Sequence, residues 1–145
     1  MSSISISFLV STFLFTTVMS YLTTKEATAE YLESSRRRLA EATERCIRST
    51  GADPVEIDLL FDKAIHSESR SLKCYLECIY LDQNYIDSNG KFIHENVIHG
   101  TANATMDLIE ECADKADSIT DGCEKVSNFS HCVMHTNNTA ILKLL

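Results

Sequence analysis

Six cysteines constrain the fold of this 145-residue chain more than any other feature. They stand at positions 46, 74, 78, 112, 123 and 132, and an even number of cysteines in a small secreted domain predicts a disulfide framework. Cys74 and Cys78 lie one helical turn apart in an apolar segment, where disulfide geometry disfavours a bond between them. Each sulfur therefore needs a distant partner. Six cysteines allow 15 pairings, and the sequence alone does not select one of them.

The first 29 residues have the features of a secretory leader. Residues 4–22 contain no charged side chain, and Ala27, Thr28 and Ala29 follow in the small-x-small pattern that signal peptidase accepts. We therefore expect a signal peptide over residues 1–29 and one secreted, extracellular domain over residues 30–145. The alternative is an uncleaved membrane anchor, because the run is long enough to span a bilayer and no Lys or Arg precedes it. Its many Ser and Thr residues weaken that alternative, so no stable membrane insertion is expected.

Charge and composition limit which classes of partner the chain can bind and how many domains it can form. The formal net charge of -8 argues against nucleic acid, because the phosphate backbone would be repelled. The absence of a linker-like segment and of a repeat favours a single domain. No cysteine or histidine tetrad has zinc-finger spacing, and although His131 and His135 have the i, i+4 spacing of metal ligands, no third ligand is evident. We therefore expect no metal and no cofactor.

Catalytic motifs are lacking as well. The sequence contains no nucleophile elbow, HExxH helix, phosphate-binding glycine loop or EF-hand loop. The nearest enzymatic alternative is a disulfide-bonded secreted phospholipase, but its histidine-aspartate pair beside a cysteine-rich calcium loop is missing. The chain is therefore not expected to be an enzyme.

Hydrophobic periodicity near 3.6 residues predicts an all-helical domain. Helices are predicted over residues 30–48, from Pro54 with Asp53 as the N-cap, and over residues 69–83, 103–117 and 123–135. The segment near residues 92–98, after the Asn89-Gly90 turn, is expected to be a short helix or an irregular segment. The second helix has Ile57, Leu60, Phe61, Ala64 and Ile65 on its inner face. The inner stripes together predict a core that also lines a ligand site: Leu60, Phe61, Leu72, Tyr75, Leu76, Ile79, Met106, Ile109, Val126, Phe129 and Val133. The Tyr75 hydroxyl either orients a polar ligand there or reaches the surface.

The cysteine spacing C-x27-C-x3-C-x33-C-x10-C-x8-C, in an acidic helical chain of this size, resembles that of the insect odorant-binding proteins, the six-cysteine pheromone and general odorant-binding type. The resemblance covers the whole mature chain. It implies a compact six-helix fold around an apolar ligand cavity, with bridges Cys46 to Cys78, Cys74 to Cys123 and Cys112 to Cys132. It further implies a carrier, monomeric or weakly dimeric, that takes small hydrophobic or volatile molecules through extracellular fluid to chemosensory receptors.

Two other functions fit the same sequence. One is a secreted helical signalling or interaction protein with a solid core, and the other is a non-olfactory carrier of amines, hormones or lipids. A dry cavity would separate the first from a carrier, and tissue expression would separate the second.

Several surface features add expectations of their own. The apolar tail Ile141–Leu145 is a candidate lid over the cavity, and the five histidines are candidates for weakening ligand binding in acid. Acceptor sequons place candidate glycans at Asn103, Asn128 and Asn137. Asn128 lies between two cysteines where a glycan is expected to be crowded, so Asn103 and Asn137 are favoured.

Overall fold

The computed structural model of the protein describes residues 33–101 and 104–136. The expected leader, the sequons at Asn103 and Asn137, and the apolar tail lie outside these residues. The chain divides into two compact units, Met1–Arg38 and Leu39–Leu145. Of the first unit, only residues 33–38 are described, and they are helical. All other described residues belong to the second unit.

Six helices account for most of the described residues, as the all-helical prediction requires. They are α1 (33–50), α2 (Pro54–Lys63), α3 (Arg70–Asp82), α4 (His94–Gly100), α5 (Met106–Asp117) and α6 (Gly122–Thr136). Extended pairing within the described ranges consists of one isolated antiparallel bridge between Ile86 and Phe92. Among α2 to α6, contacts between helices concentrate on three pairs, α3 with α6, α5 with α6, and α4 with α5.

Helix α2 begins where its capping sequence predicts. Asp53 is extended, and its carboxylate accepts a hydrogen bond from the Val55 amide at 2.9 Å, while Pro54 occupies the first helical position. The helix ends earlier than the apolar pattern suggested, because Ala64 adopts a left-handed conformation with φ of 53°. Ile65 therefore leaves the helical register and is 51% exposed. Its predicted place on the inner face is wrong.

Helix α3 is central, and two of its sides are tied to other helices. The three disulfides are Cys46–Cys78 between α1 and α3, Cys74–Cys123 between α3 and α6, and Cys112–Cys132 between α5 and α6, with Cα atoms 5.7, 4.4 and 5.7 Å apart. These are the pairs that the family resemblance implies. Because Cys74 and Cys78 lead to different helices, α3 and α6 each carry two bridges, and four helices are covalently connected.

Ion pairs reinforce the contact between α3 and α6. Arg70 donates two hydrogen bonds to the Asp121 carboxylate, both at 2.7 Å, and Lys73 contacts the Glu124 carboxylate at 3.1 Å. The Arg70 guanidinium lowers the pKa of the Asp121 carboxyl to about 2. The exposed Arg70 pair contributes little stability by itself.

The start of α5 differs from the prediction. Thr105 caps the helix by accepting a hydrogen bond from the Leu108 amide at 3.3 Å, so the helix begins at Met106 rather than at residue 103. Leu108 is buried, whereas Met106 is only half-buried in the first turn. The short helix predicted near residues 92–98 is α4, and Val97 is its buried residue.

Candidate ligand-binding site

Most of the predicted ligand-lining residues lie together in one buried apolar cluster, which we call the core cluster. It includes Leu60, Leu72, Tyr75, Leu76, Ile79, Ile109, Val126, Phe129 and Val133. Phe61 is partly buried and packs against the cluster. Met106 is half-buried at the beginning of α5. The helical stripes thus identified a shared interior, and contact with a ligand there remains a prediction.

Aromatic rings fill the middle of the core cluster. Phe92 stacks on Phe129 with ring centroids 4.1 Å apart, and Tyr80 meets both Phe129 and Tyr85 edge to face at 6.1 and 5.4 Å. Such pairs stabilise a core beyond the area that they bury. The sequence predicted Phe92 in a short helix or an irregular segment, and it did not place Tyr80 or Tyr85 in the interior. The Asn89-Gly90 turn indicates the position of Phe92, because it folds the chain back so that Phe92 pairs with Ile86.

The loop between α3 and α4 reaches the core through Tyr85. Its phenol lies so close to Gly100 that a Cβ atom at this position would collide with the Tyr85 hydroxyl. Glycine at the end of α4 therefore allows the ring to enter the interior. Burial raises the pKa of the Tyr85 hydroxyl.

Three hydroxyl groups stand inside this apolar surrounding. Tyr75 is only 2% exposed, which rules out the surface position considered for its side chain. Burial raises the pKa of its phenol, and the nearby Thr43 side chain opposes this rise. Burial also raises the pKa of the Tyr80 phenol well above its ordinary value, with the nearby Ser130 hydroxyl again opposing. Ser130 Oγ is buried and has no hydrogen-bond partner of ordinary geometry among the described residues. Ser130 therefore keeps unused hydrogen-bonding capacity.

Among the clefts on the outside of the described part of the molecule, two lie near the α3–α6 contact. One, of about 630 Å³, lies over the Cys46–Cys78 and Cys74–Cys123 bridges and is bordered by Arg45 and Leu81. The other, of about 230 Å³, has mainly polar walls that include His66, Lys73 and Glu124. None of the predicted ligand-lining residues borders either cleft. The core cluster is therefore a separate candidate site.

Comparison with known proteins identifies the chain's relatives. Residues 28–136 match the model of the PBP/GOBP family. The chain belongs to this family. It is also 22% identical over 126 residues to general odorant-binding protein 99a of Drosophila melanogaster, an alignment that covers 82% of this chain and 88% of that protein. No solved structure matches the chain.

Membership in the PBP/GOBP family supports several of the sequence predictions at a general level. The family consists of odorant-binding carrier proteins rather than enzymes, and the three disulfides fit its six-cysteine type. No helix within the described ranges is long and apolar enough to cross a membrane.

One glycosylation candidate of this PBP/GOBP chain is visible. Asn128 is exposed on α6, and its Nδ2 donates a hydrogen bond to the Glu124 carbonyl oxygen at 2.9 Å. The side chain therefore points to solvent despite the flanking cysteines. Its use as a glycan acceptor remains a prediction, as it does for Asn103 and Asn137.

Proposed function

We propose that this PBP/GOBP chain is a secreted carrier that binds small hydrophobic or volatile molecules within its core cluster and delivers them to chemosensory receptors. The observation that supports this most is the disulfide framework around α3 and α6. Covalent links between helices replace part of the stability that complete apolar packing would otherwise supply. The interior can then exchange a side-chain contact for a ligand contact without losing the fold.

The ligand chemistry follows from the surfaces that the core cluster offers. Most of its side chains are aliphatic or aromatic, so alkyl chains and rings gain free energy by leaving water there. Burial of about ten methylenes would yield on the order of 8 kcal/mol before association costs are subtracted. Micromolar affinity is therefore the upper limit expected for simple alkyl ligands.

Ser130 supports a preference for ligands with one oxygen atom. A buried hydroxyl without a well-aligned partner gains a hydrogen bond when an alcohol, ester or aldehyde lies beside it. A hydrocarbon of the same length gains no such bond. We therefore propose that the chain prefers mono-oxygenated ligands to pure hydrocarbons.

Displacement of a fluorescent hydrophobic probe by linear primary alcohols tests the proposed carrier function. Each added methylene should tighten binding about fourfold, the equivalent of about 0.8 kcal/mol, until the site is filled. Phe129→Leu, a change in the fully buried centre of the cluster, should weaken binding. Val55→Ala, at a side chain that is 63% exposed, is the matched control and should leave binding unchanged.

The same experiment separates a carrier from a signalling or interaction protein with a solid core. If a correctly oxidised protein takes up no probe, a solid-core signalling or interaction protein becomes the better interpretation. Secretion is tested separately by expression in insect cells, where the protein recovered from the medium should begin at Glu30. Recovery of the chain only in the membrane fraction, with residues 1–29 attached, would contradict the signal peptide.

A further inference from the structure

Asn128 stands on the solvent face of α6, where the structure leaves room for a large substituent. Its side chain is exposed and borders the polar cleft of about 230 Å³, together with Ser127 and His131. Its Nδ2 donates one hydrogen bond, to the Glu124 carbonyl oxygen at 2.9 Å. A primary amide carries two Nδ2 hydrogens, and attachment of a sugar replaces one of them. The other hydrogen can keep the bond to Glu124, so α6 tolerates a sugar at this position.

We propose that Asn128 carries an N-linked oligosaccharide, and that this sugar is attached before α6 folds. Asn128, Phe129 and Ser130 form the acceptor sequence Asn-X-Ser. In the transfer, Nδ2 forms a bond to the anomeric carbon of the first N-acetylglucosamine, and the bond from that carbon to a lipid-linked diphosphate breaks. The diphosphate keeps the electron pair of the broken bond, and the displaced Nδ2 proton passes to solvent. The proposal rests on the secretion part of the proposed function, because the sugar donor and its transferase lie in the secretory pathway.

In the folded protein, Asn128 is the only accessible residue of the three in the acceptor sequence. Phe129 is fully buried, and Ser130 is 1% exposed with its hydroxyl buried. Successive residues of a helix are about 100° apart, so Asn128 and Ser130 face nearly opposite sides of α6. The transferase has to contact the asparagine amide and the serine hydroxyl of an acceptor together. The folded helix cannot present both groups to it, and attachment must therefore precede the folding of α6.

Two disulfides limit the time available for this attachment. Cys123 and Cys132 flank the acceptor sequence, and their partners Cys74 and Cys112 both precede it in the chain. The partners therefore enter the secretory pathway first, and each bridge can close as soon as its second cysteine arrives. Closure ties α6 to α3 and to α5 and removes the flexibility that the transferase needs. Folding and glycosylation thus compete for the same segment, and we expect only a fraction of the chains to carry the sugar.

Expression of the full chain in insect cells with Asn103→Gln and Asn137→Gln leaves Asn128 as the one remaining acceptor. Peptide N-glycosidase A in heavy-oxygen water converts a glycosylated asparagine to labelled aspartate, which mass spectrometry locates in the tryptic peptide. We expect this label at Asn128 in a fraction of the chains. Ser130→Ala, which removes the acceptor hydroxyl, should abolish the label. Ser127→Ala, at a buried serine outside the acceptor sequence, is the matched control and should leave the labelled fraction unchanged.

Removal of one bridge from α6 tests the order of events. Two bridges close on the segment, so Cys112→Ala with Cys132→Ala should reduce the unglycosylated fraction by about half. Cys46→Ala with Cys78→Ala removes the bridge between α1 and α3, and as the control it should have a smaller effect. Chains from cells and medium are counted together, so a variant that fails to fold is still scored. In vitro, the transferase with its lipid-linked donor should modify the reduced, unfolded chain but not the oxidised, folded protein.

Three results would overturn the proposal. They are no sugar on Asn128 in chains that have entered the secretory pathway, an equal effect of the two double cysteine variants, and modification of the oxidised, folded protein in vitro. Expression of residues 30–145 behind an unrelated secretory leader separates these results from a failure of secretion. If the full chain stays outside the secretory pathway while this second version is glycosylated at Asn128, the signal peptide is wrong and the glycan site stands.

Discussion

Phe92 and Phe129 stack with ring centroids 4.1 Å apart and an interplanar angle of 25°. This contact connects the segment before α4 to the centre of α6. Phe129 is fully buried, and Phe92 is 6% exposed. The pair therefore covers the interior beside the mostly non-helical segment between α3 and α4.

Replacement of Phe92 by leucine tests the importance of this stacking. The side-chain volume is largely kept, so the expected loss in the free energy of unfolding is about 0.5–1.5 kcal/mol from the ring pair, plus a smaller packing term. Urea denaturation followed by circular dichroism measures it. Val55→Ala should change the free energy by less than about 0.5 kcal/mol. Equal effects of the two substitutions would show that the stack does not stabilise the fold.

The disulfides should differ in how much they contribute to the free energy of unfolding. The Cys74–Cys123 bridge closes a loop of 49 residues and the Cys112–Cys132 bridge one of 20. In the chain-entropy model these loops correspond to about 4 and about 3 kcal/mol. The double variant Cys74→Ala with Cys123→Ala should therefore be less stable than Cys112→Ala with Cys132→Ala, by about 0.8 kcal/mol. Guanidinium denaturation measures both, and the reverse order would contradict this account of the framework.

Acid should destabilise the protein through His66. Its pKa is lowered from 6.5 to about 4 in the folded state, so between these values the unfolded chain binds more protons than the folded one. Stability is then fully present above pH 6.5 and falls as the pH decreases toward 4. After allowance for solvent screening, the loss is of order 1–2 kcal/mol.

His66→Gln should flatten this dependence. The free energy of unfolding is measured from pH 7 to pH 4. His99→Gln serves as the control and should keep the slope of the unmodified protein. Identical slopes in all three proteins would mean that the buried imidazole is not the group responsible. Parallel ligand titrations at both pH limits would test the expected weakening of binding in acid.

The preference for oxygenated ligands depends on Ser130. Removal of its hydroxyl by Ser130→Ala should reduce the affinity ratio between a primary alcohol and an alkyl chloride of equal chain length by about two- to tenfold, the equivalent of one net hydrogen bond. Ser127→Ala is the control, because Ser127 is a neighbouring buried serine that borders the polar cleft instead. Probe displacement gives all the affinities. If Ser130→Ala weakens both ligands equally, the hydroxyl does not recognise oxygen.

Local sequence signals predicted much of the helical framework. The Asp53-Pro54 start of α2 and the bounds of α3 and α6 are confirmed, because capping residues and apolar stripes act within a few turns of chain. The same stripes placed Ile65 inside wrongly, since the left-handed turn at Ala64 ends α2 first. Met106, the first residue of α5, is half-buried, and Leu108 in the same turn is buried.

Features that depend on tertiary contacts were beyond sequence patterns. Phe92 and Tyr80 enter the core cluster through a turn and through ring contacts that no periodicity encodes. The meeting of His66 with His131 joins residues that are far apart in the chain. The disulfide pairs came from the family resemblance, because helical spacing alone excludes only the bond between Cys74 and Cys78.

The most direct test of the proposed carrier is an isotope-edited nuclear Overhauser experiment on the labelled protein with an unlabelled ten-carbon alcohol. If the ligand binds within the core cluster, its methylene protons should show contacts to the Phe129 ring and to the methyl groups of Val126 and Ile109. Ligand contacts confined to surface residues around the two outer clefts, or no contacts at saturating alcohol, would contradict the account.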